Sequence, residues 1–288
     1  MWIDKFKYIR NTSLIMSIGI KGKVDKMHEH EEEFDLWEED LTEEFEEHVH
    51  HHHHEEETAT AIEGEALEPL EVEEIMTEED KKYLREKFAK EMENPVKIVL
   101  LKSDNCDYCE LTEKLLNELA PLADGKIKLE VRMMNEEDKK KLGVDHGPVI
   151  LIGEHGEVRY TGAPLGEEGW AFIETIVIAS TGNHGFEDWE EDLKNLKKTV
   201  RIETVVTPSC PYCPYAVLLA NRIALASKGK VISDTIEAYE FPHIADKYNV
   251  TAVPTIIISV EKPYTGEVFS IGVPKEVTLL KTVLKKGL

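Results

Sequence analysis

Glutamine is missing from all 288 residues, cysteine occurs only four times, and between His28 and Asp80 there is not one lysine or arginine. Each shortage excludes something. The four cysteines fall in two close pairs, Cys106/Cys109 and Cys210/Cys213. A secreted scaffold spreads more cysteines through a shorter chain, so these read as functional thiols and not as staples. The stretch without bases holds 24 Asp and Glu, so the formal net charge of -24 belongs to that one segment, and the other 34 acids are matched by 34 bases. A neutral body with an acidic arm has no electrostatic footprint for nucleic acid and is repelled by anionic membrane surfaces. Long apolar runs are also missing. Leu14 to Ile20, behind Lys5, Lys7 and Arg10, approximates a signal peptide, but it is short, broken by Ser17 and Gly19, and lacks a small-residue cleavage site. The expectation is a cytoplasmic protein. The absence of glutamine beside abundant Glu and Lys is a bias of proteins that work at high temperature.

What is present divides the chain in three. Residues 1–74 read as a poorly structured arm, because acidic runs such as Glu31 to Glu33 and Glu55 to Glu57 bury too little apolar surface to offset chain entropy. Within it Phe34, Trp37, Leu41 and Phe45 recur at three- or four-residue spacing, a stripe that a docking helix would carry. From Thr77 the pattern is globular, and it repeats. Val96 to Cys106 aligns without gaps on Val200 to Cys210, each an apolar strand that ends just before a cysteine. Val144-Asp-His-Gly-Pro148 and the apolar run behind it match Val250-Thr-Ala-Val-Pro254. Gly156 to Pro164 matches Gly266 to Pro274. The economical reading is two copies of one α/β fold, residues 75–182 and 183–288.

Each copy is expected to run helix, strand, helix, strand, short helix, strand, strand, helix, giving a small mixed sheet flanked by helices. Thr77-Glu-Glu-Asp80 resembles a capping box for the first helix, and Trp189, Leu193 and Leu196 carry the matching stripe in the second copy. The next helices are expected over Cys106 to Leu122 and Cys210 to Ala226, with strands over Ile127 to Arg132 and Thr235 to Ala238. Gly153 to Gly156 and Glu261 to Gly266 are read as hairpin turns.

A cysteine between a strand end and a helix start has its sulfur near unpaired N–H groups at the positive end of the helix dipole, which favours thiolate. Spacing i,i+3 brings the second sulfur within reach of the first, so the first cysteine attacks and the second resolves the mixed disulfide. Pro211, read as the first helical residue, should rigidify the second turn. Asp107 at the matching place puts a negative charge near Cys106. Cys210 is therefore expected to be the principal nucleophile. Glu203, a charge within an apolar strand, is a candidate proton acceptor for Cys213. The plainer reading pairs it with Arg201 on the same strand face. A four-thiolate zinc site normally separates its pairs by roughly 15–20 residues, far less than the gap here.

Cys210-Pro-Tyr-Cys213 resembles the glutaredoxin active site, and Val253-Pro254 ahead of an apolar strand resembles the cis-proline element of thioredoxin-fold proteins. In tandem the copies resemble the glutaredoxin-like protein disulfide oxidoreductases of thermophilic archaea and bacteria, over roughly residues 75–288. The resemblance implies that Cys106 and Cys210 attack, Cys109 and Cys213 resolve, and Pro148 and Pro254 are cis. It also implies that Gly147 and Val253 bare backbone for pairing with a substrate peptide. No bound cofactor is implied. The redox-active disulfides are the centres, protein disulfides the substrates, and a thioredoxin-reductase-like flavoprotein using NADPH the electron donor. Two departures stand out: Gly147, where a β-branched or small side chain is usual before the proline, and Cys106-Asp-Tyr-Cys109, which lacks the internal proline.

Two alternatives remain. One is a glutaredoxin that uses glutathione. The other is a metal-binding or metal-delivery protein, since His28, His30, His48 and the run His50 to His54 hold eight of the twelve histidines, and imidazoles at such density bind Zn, Ni or Cu without a fold.

Overall fold

The computed structural model describes residues Glu74 to Leu288; the acidic arm, its apolar stripe and the histidine run lie outside them. Helix α1 (Glu78–Glu91) opens with the capping box expected from the sequence, Thr77 Oγ1 accepting the Asp80 N–H while the Asp80 carboxylate accepts the Thr77 N–H. Strand β1 (Val96–Lys102) follows, then α2 (Cys109–Leu119), a 3₁₀ turn (Ala120–Ala123), β2 (Ile127–Met133), α3 (Glu136–Leu142), the hairpin β3 (Val149–Ile152) and β4 (Val158–Thr161), and α4 (Glu168–Thr181). The second copy runs through a 3₁₀ turn (Glu187–Trp189), α5 (Glu190–Lys194), β5 (Val200–Val206), α6 (Cys213–Ala226), β6 (Val231–Glu237), α7 (Pro242–Lys247), the hairpin β7 (Thr255–Val260) and β8 (Glu267–Ile271), and α8 (Glu276–Gly287).

Three element boundaries differ from the sequence reading. Both helices that follow the cysteine turns begin at the second cysteine, not the first, so Pro211 stands in the turn ahead of α6 and Pro214 is the early helical proline. The helix expected to open the second copy is a 3₁₀ turn plus the five residues of α5, because the chain must enter β5 only five residues after Asn195. Leu193 and Leu196 are buried as the stripe requires, whereas Trp189 remains 38% exposed. Strand β6 starts four residues earlier than expected, at Val231.

The two small sheets do not stay separate. Strands β4 and β6 pair in parallel, Val158 opposite Ser233 through Thr161 opposite Ile236, and join them into one eight-stranded sheet in the order β2-β1-β3-β4-β6-β5-β7-β8. One face carries the larger core, where α1, α2, α4, α6 and α8 bury Phe88, Leu116, Trp170, Ile223 and Leu280 against Ile98, Ile150, Ile202 and Ile256. The other face carries Leu101, Val149, Val205 and Ile257 beneath Leu142 of α3 and Ile244 of α7. Alternation along each strand assigns odd and even positions to opposite faces.

A polar row interrupts that second face. Arg159 of β4, Asp234 of β6 and Glu203 of β5 stand in register on adjacent strands, and all three are fully buried. The Arg159 guanidinium donates to the Asp234 carboxylate, to Tyr264 Oη at 3.2 Å and to the carbonyl of Leu142 at 3.1 Å. Thr161 Oγ1 and Tyr264 Oη donate to Asp234 at 2.7 and 2.8 Å. A buried charge left without such partners would cost several kcal/mol. The row ties the last strand of the first copy to the second.

Candidate active site

Strands β1 and β5 run in the same direction, so the two cysteine turns, which leave their C-terminal ends, lie on one edge of the sheet. Four strand spacings separate them, about 19 Å. Each pair is a disulfide, with Cα atoms 5.4 Å apart at Cys106–Cys109 and 5.5 Å apart at Cys210–Cys213.

At the second turn the sulfur chemistry is laid out by the backbone. Tyr212 caps α6, Cys213 is its first residue, and the Cys213 N–H donates to Cys210 Sγ at 3.1 Å. An N–H aimed at that sulfur, on the positive end of the helix, stabilises a thiolate there. Cys213 is wholly buried, whereas Cys210 keeps 7% of its surface. The two cysteines are thereby distinguished by access. Across the turn the Val253–Pro254 bond is cis, and Cys210 Sγ lies 3.7 Å from the Val253 carbonyl oxygen.

The first turn repeats this plan with changes. Cys106 is half-buried, Cys109 buried, and the Gly147–Pro148 bond is cis. No backbone N–H reaches Cys106 Sγ among the described residues. Gly147 is explained by close approach: a Cβ there would stand 2.6 Å from the Leu101 carbonyl oxygen and 3.3 Å from Cys109 Sγ. A larger residue before the proline has no room. Tyr108 faces the second copy, and its hydroxyl is held above the usual tyrosine pKa by burial and then by the carboxylates of Glu240, Glu237 and Asp107. The structure thus brings Cys106, Cys109, Gly147 and Pro148 together at one end of the edge and Cys210, Cys213, Val253 and Pro254 at the other.

Comparison with known proteins gives this geometry its family. Residues 200–284 match the thioredoxin domain family. The crystal structure of a protein disulfide oxidoreductase from Aeropyrum pernix K1 is 37% identical, with a TM-score of 0.65 over 73% of this chain and 93% of that one. The chain belongs to the protein disulfide oxidoreductases. Its reaction is thiol-disulfide exchange, its substrates are disulfides, and its redox centres are the two Cys-x-x-Cys pairs. The NTD_N/C domain of alkylhydroperoxide reductase AhpF from Enterococcus faecalis is 20% identical, with a TM-score of 0.59 over 72% of this chain and 99% of that one, and shares the fold. No curated protein matches the chain.

Glu203 of this oxidoreductase does neither of the things its sequence context offered. It sits on the face opposite α6, and so away from Cys213. Ser259 Oγ donates to it at 2.7 Å and the Tyr264 N–H at 2.6 Å, while Arg201 turns to the Glu261 carbonyl at 3.0 Å. Burial raises its pKa to about 7.

Another buried carboxyl belongs to the helix whose start touches the second active turn. Glu168 is the first residue of α4, 3% exposed, with no hydrogen-bond partner for either oxygen among the described residues. Its neighbours in sequence bracket the turn: the Glu167 N–H donates to the Pro208 carbonyl at 2.9 Å, and the Trp170 ring meets Tyr215 edge-on at 5.4 Å. Burial, and after it the charge of Glu167, raises the pKa of Glu168 to about 8. In the sequence Glu167-Glu168 is an ordinary acidic pair at a helix start, and nothing in the pattern marks the second as buried.

Among the described residues no group of three or more His, Cys, Asp or Glu is placed to hold a metal ion, and no helix is long and apolar enough to cross a membrane.

Proposed function

We propose that Cys210 is the principal nucleophile of this oxidoreductase and Cys213 its resolving partner, with Cys106 and Cys109 forming a second exchange centre. The observation that carries the ranking is the Cys213 N–H donating to Cys210 Sγ at 3.1 Å, a bond with no counterpart at Cys106 among the described residues. In the reduced state the Cys210 thiolate attacks a substrate disulfide and expels one substrate thiol, forming a mixed disulfide. Cys213 then gives up its proton and attacks Cys210 Sγ, which releases the second thiol and leaves Cys210–Cys213 oxidised. Glu168 is the group we assign to take the Cys213 proton, because its carboxyl is buried without a hydrogen-bond partner among the described residues, between Glu167 and Trp170, which touch the turn on either side, and burial lifts its pKa toward the thiol range. A substrate chain lies across the second turn and pairs with the backbone of Val253, ahead of Pro254; Gly147 and Pro148 hold the matching place beside the first centre.

The structural units are residues 75–182 and 183–288, and residues 1–74 are an accessory arm. The physiological electron donor is an NADPH-dependent flavoprotein reductase, and the compartment is the cytoplasm. These two assignments rest on the chemistry of pairs that need to be re-reduced and on cysteines that occur only as two functional pairs, as in a reducing compartment.

Insulin reduction driven by dithiothreitol tests the ranking. Cys210→Ser is expected to abolish most of the rate and Cys106→Ser to leave a substantial part. Equal losses overturn the ranking. An inactive wild type that holds zinc on its thiols overturns the exchange reading in favour of a metal-binding protein.

A further inference from the structure

The two active turns are copies, yet the backbone ledge beside each cis-proline is finished differently. At the second site the Val253 N–H makes no hydrogen bond among the described residues, and Val253 is half-buried. At the first site the equivalent Gly147 N–H donates to Ser103 Oγ at 2.9 Å. Ser103 stands three residues ahead of Cys106. The second copy has Thr207 there, whose carbonyl accepts the Cys210 N–H at 3.1 Å and whose hydroxyl makes no bond to the ledge.

The wall beyond the ledge differs too. Gly162 and Gly272 donate alike to the carbonyls of Pro148 and Pro254, at 2.9 and 2.8 Å. The next residue of the first copy, Ala163, is 4% exposed and gives its N–H to Glu240 Oε1 at 2.8 Å, while His146 lies flat on Phe241 with ring centroids 4.4 Å apart. In the second copy the matching Val273 is 37% exposed. The loop after β6 therefore fills at the first site the space that stays open at the second.

An extended chain adds to such a ledge by pairing its own carbonyl with a bare N–H. We propose that Ser103 is a specificity-determining residue that seals the first ledge against extended polypeptide, so that Cys106/Cys109 exchanges with small disulfides and dithiols while Cys210/Cys213 takes protein chains. This rests on the reading of both pairs as exchange centres. The Cys106 thiolate attacks one sulfur of a small disulfide and releases the first small thiolate. The Cys109 thiolate then attacks Cys106 Sγ and releases the second. Two electrons pass to the small molecule, the two protons of the dithiol end on its thiols, and Cys106–Cys109 is left oxidised.

The test uses full-length protein with Cys210→Ser and Cys213→Ser, with and without Ser103→Ala, reduced and freed of dithiothreitol, then mixed with 5,5′-dithiobis(2-nitrobenzoate) or with two unstructured peptides joined by a disulfide. Ser103→Ala is expected to leave the small-disulfide rate constant unchanged and to raise the peptide rate constant about fivefold, the worth of one freed hydrogen bond. Ser103→Thr, which keeps the hydroxyl, stays at the starting rates. Peptide rates that do not respond to Ser103→Ala overturn the proposal, as do rates for both substrates that rise or fall together. A first site inert toward both substrates, with wild type active, also overturns it. A wild type inert toward both overturns instead the exchange reading.

Discussion

Replacing Glu168 by glutamine removes an ionisation while keeping the shape and the unmet hydrogen-bonding capacity of the side chain. Its carboxyl is buried without a partner among the described residues, and its pKa rises from 4.5 to about 8, chiefly through burial. The sign follows from linkage. A carboxyl raised on folding adds no penalty below pH 4.5, where it is protonated in both states; above that the unfolded chain ionises first and stability drains away until the folded pKa is passed. The loss runs at about 1.4 kcal/mol per pH unit, or roughly 4–5 kcal/mol over the whole interval. Guanidinium unfolding of wild type and Glu168→Gln should therefore give a stability difference that is constant below pH 4.5, shifts steadily in favour of the glutamine variant, and levels off above pH 8. Subtracting one protein from the other cancels the remaining titrations. A difference that does not change with pH would refute the buried, proton-holding carboxyl and with it the assignment of Glu168 as the acceptor for Cys213.

The same variant should flatten the rise of disulfide-reduction rate around pH 8 in a stopped-flow assay, whereas Glu203→Gln, on the far face of the sheet, should leave that profile unmoved. Arg159→Met strands the buried Asp234 carboxylate and is expected to cost about 3–5 kcal/mol. In a double-mutant cycle with Asp234→Asn, measured by guanidinium midpoints, the combined loss should fall well short of additive. Gly147→Ala drives a Cβ toward the Leu101 carbonyl, which belongs to a central strand that cannot yield. Thermal unfolding should register a loss of about 1–3 kcal/mol, with exchange at Cys106 falling and exchange at Cys210 retained.

The internal repeat made much of this legible in advance. Matching strands ahead of Cys106 and Cys210, matching prolines at 148 and 254, and paired hairpins specify a local fold twice over, and the helix cap at Thr77 is a short-range pattern of the same kind. Three features escaped because their causes are not local. Strand β4 is only Val158-Arg-Tyr-Thr161, and its parallel partner lies some 75 residues away, so nothing nearby announces the merger of the sheets. Arg159 reads as an ordinary charge until Asp234 arrives beside it. Glu203 stands out in the sequence as a charge in an apolar strand, but one residue of strand phase decides which face receives it, and that phase turns it away from Cys213. Glu168 was hidden for the opposite reason, since acids at a helix start are what the dipole favours on any exposed helix.

The β4–β6 seam also determines what the protein is as a folding object. Two independent sheets would present four raw strand edges, and the joined sheet presents two, β2 and β8. Severing the chain near Gly182 to Gly185 would not release a pair of small thioredoxins. It would yield halves with complementary torn margins, one bearing Arg159 and the other Asp234. Produced apart, such halves should aggregate; produced together, they should recognise each other and rebuild the whole.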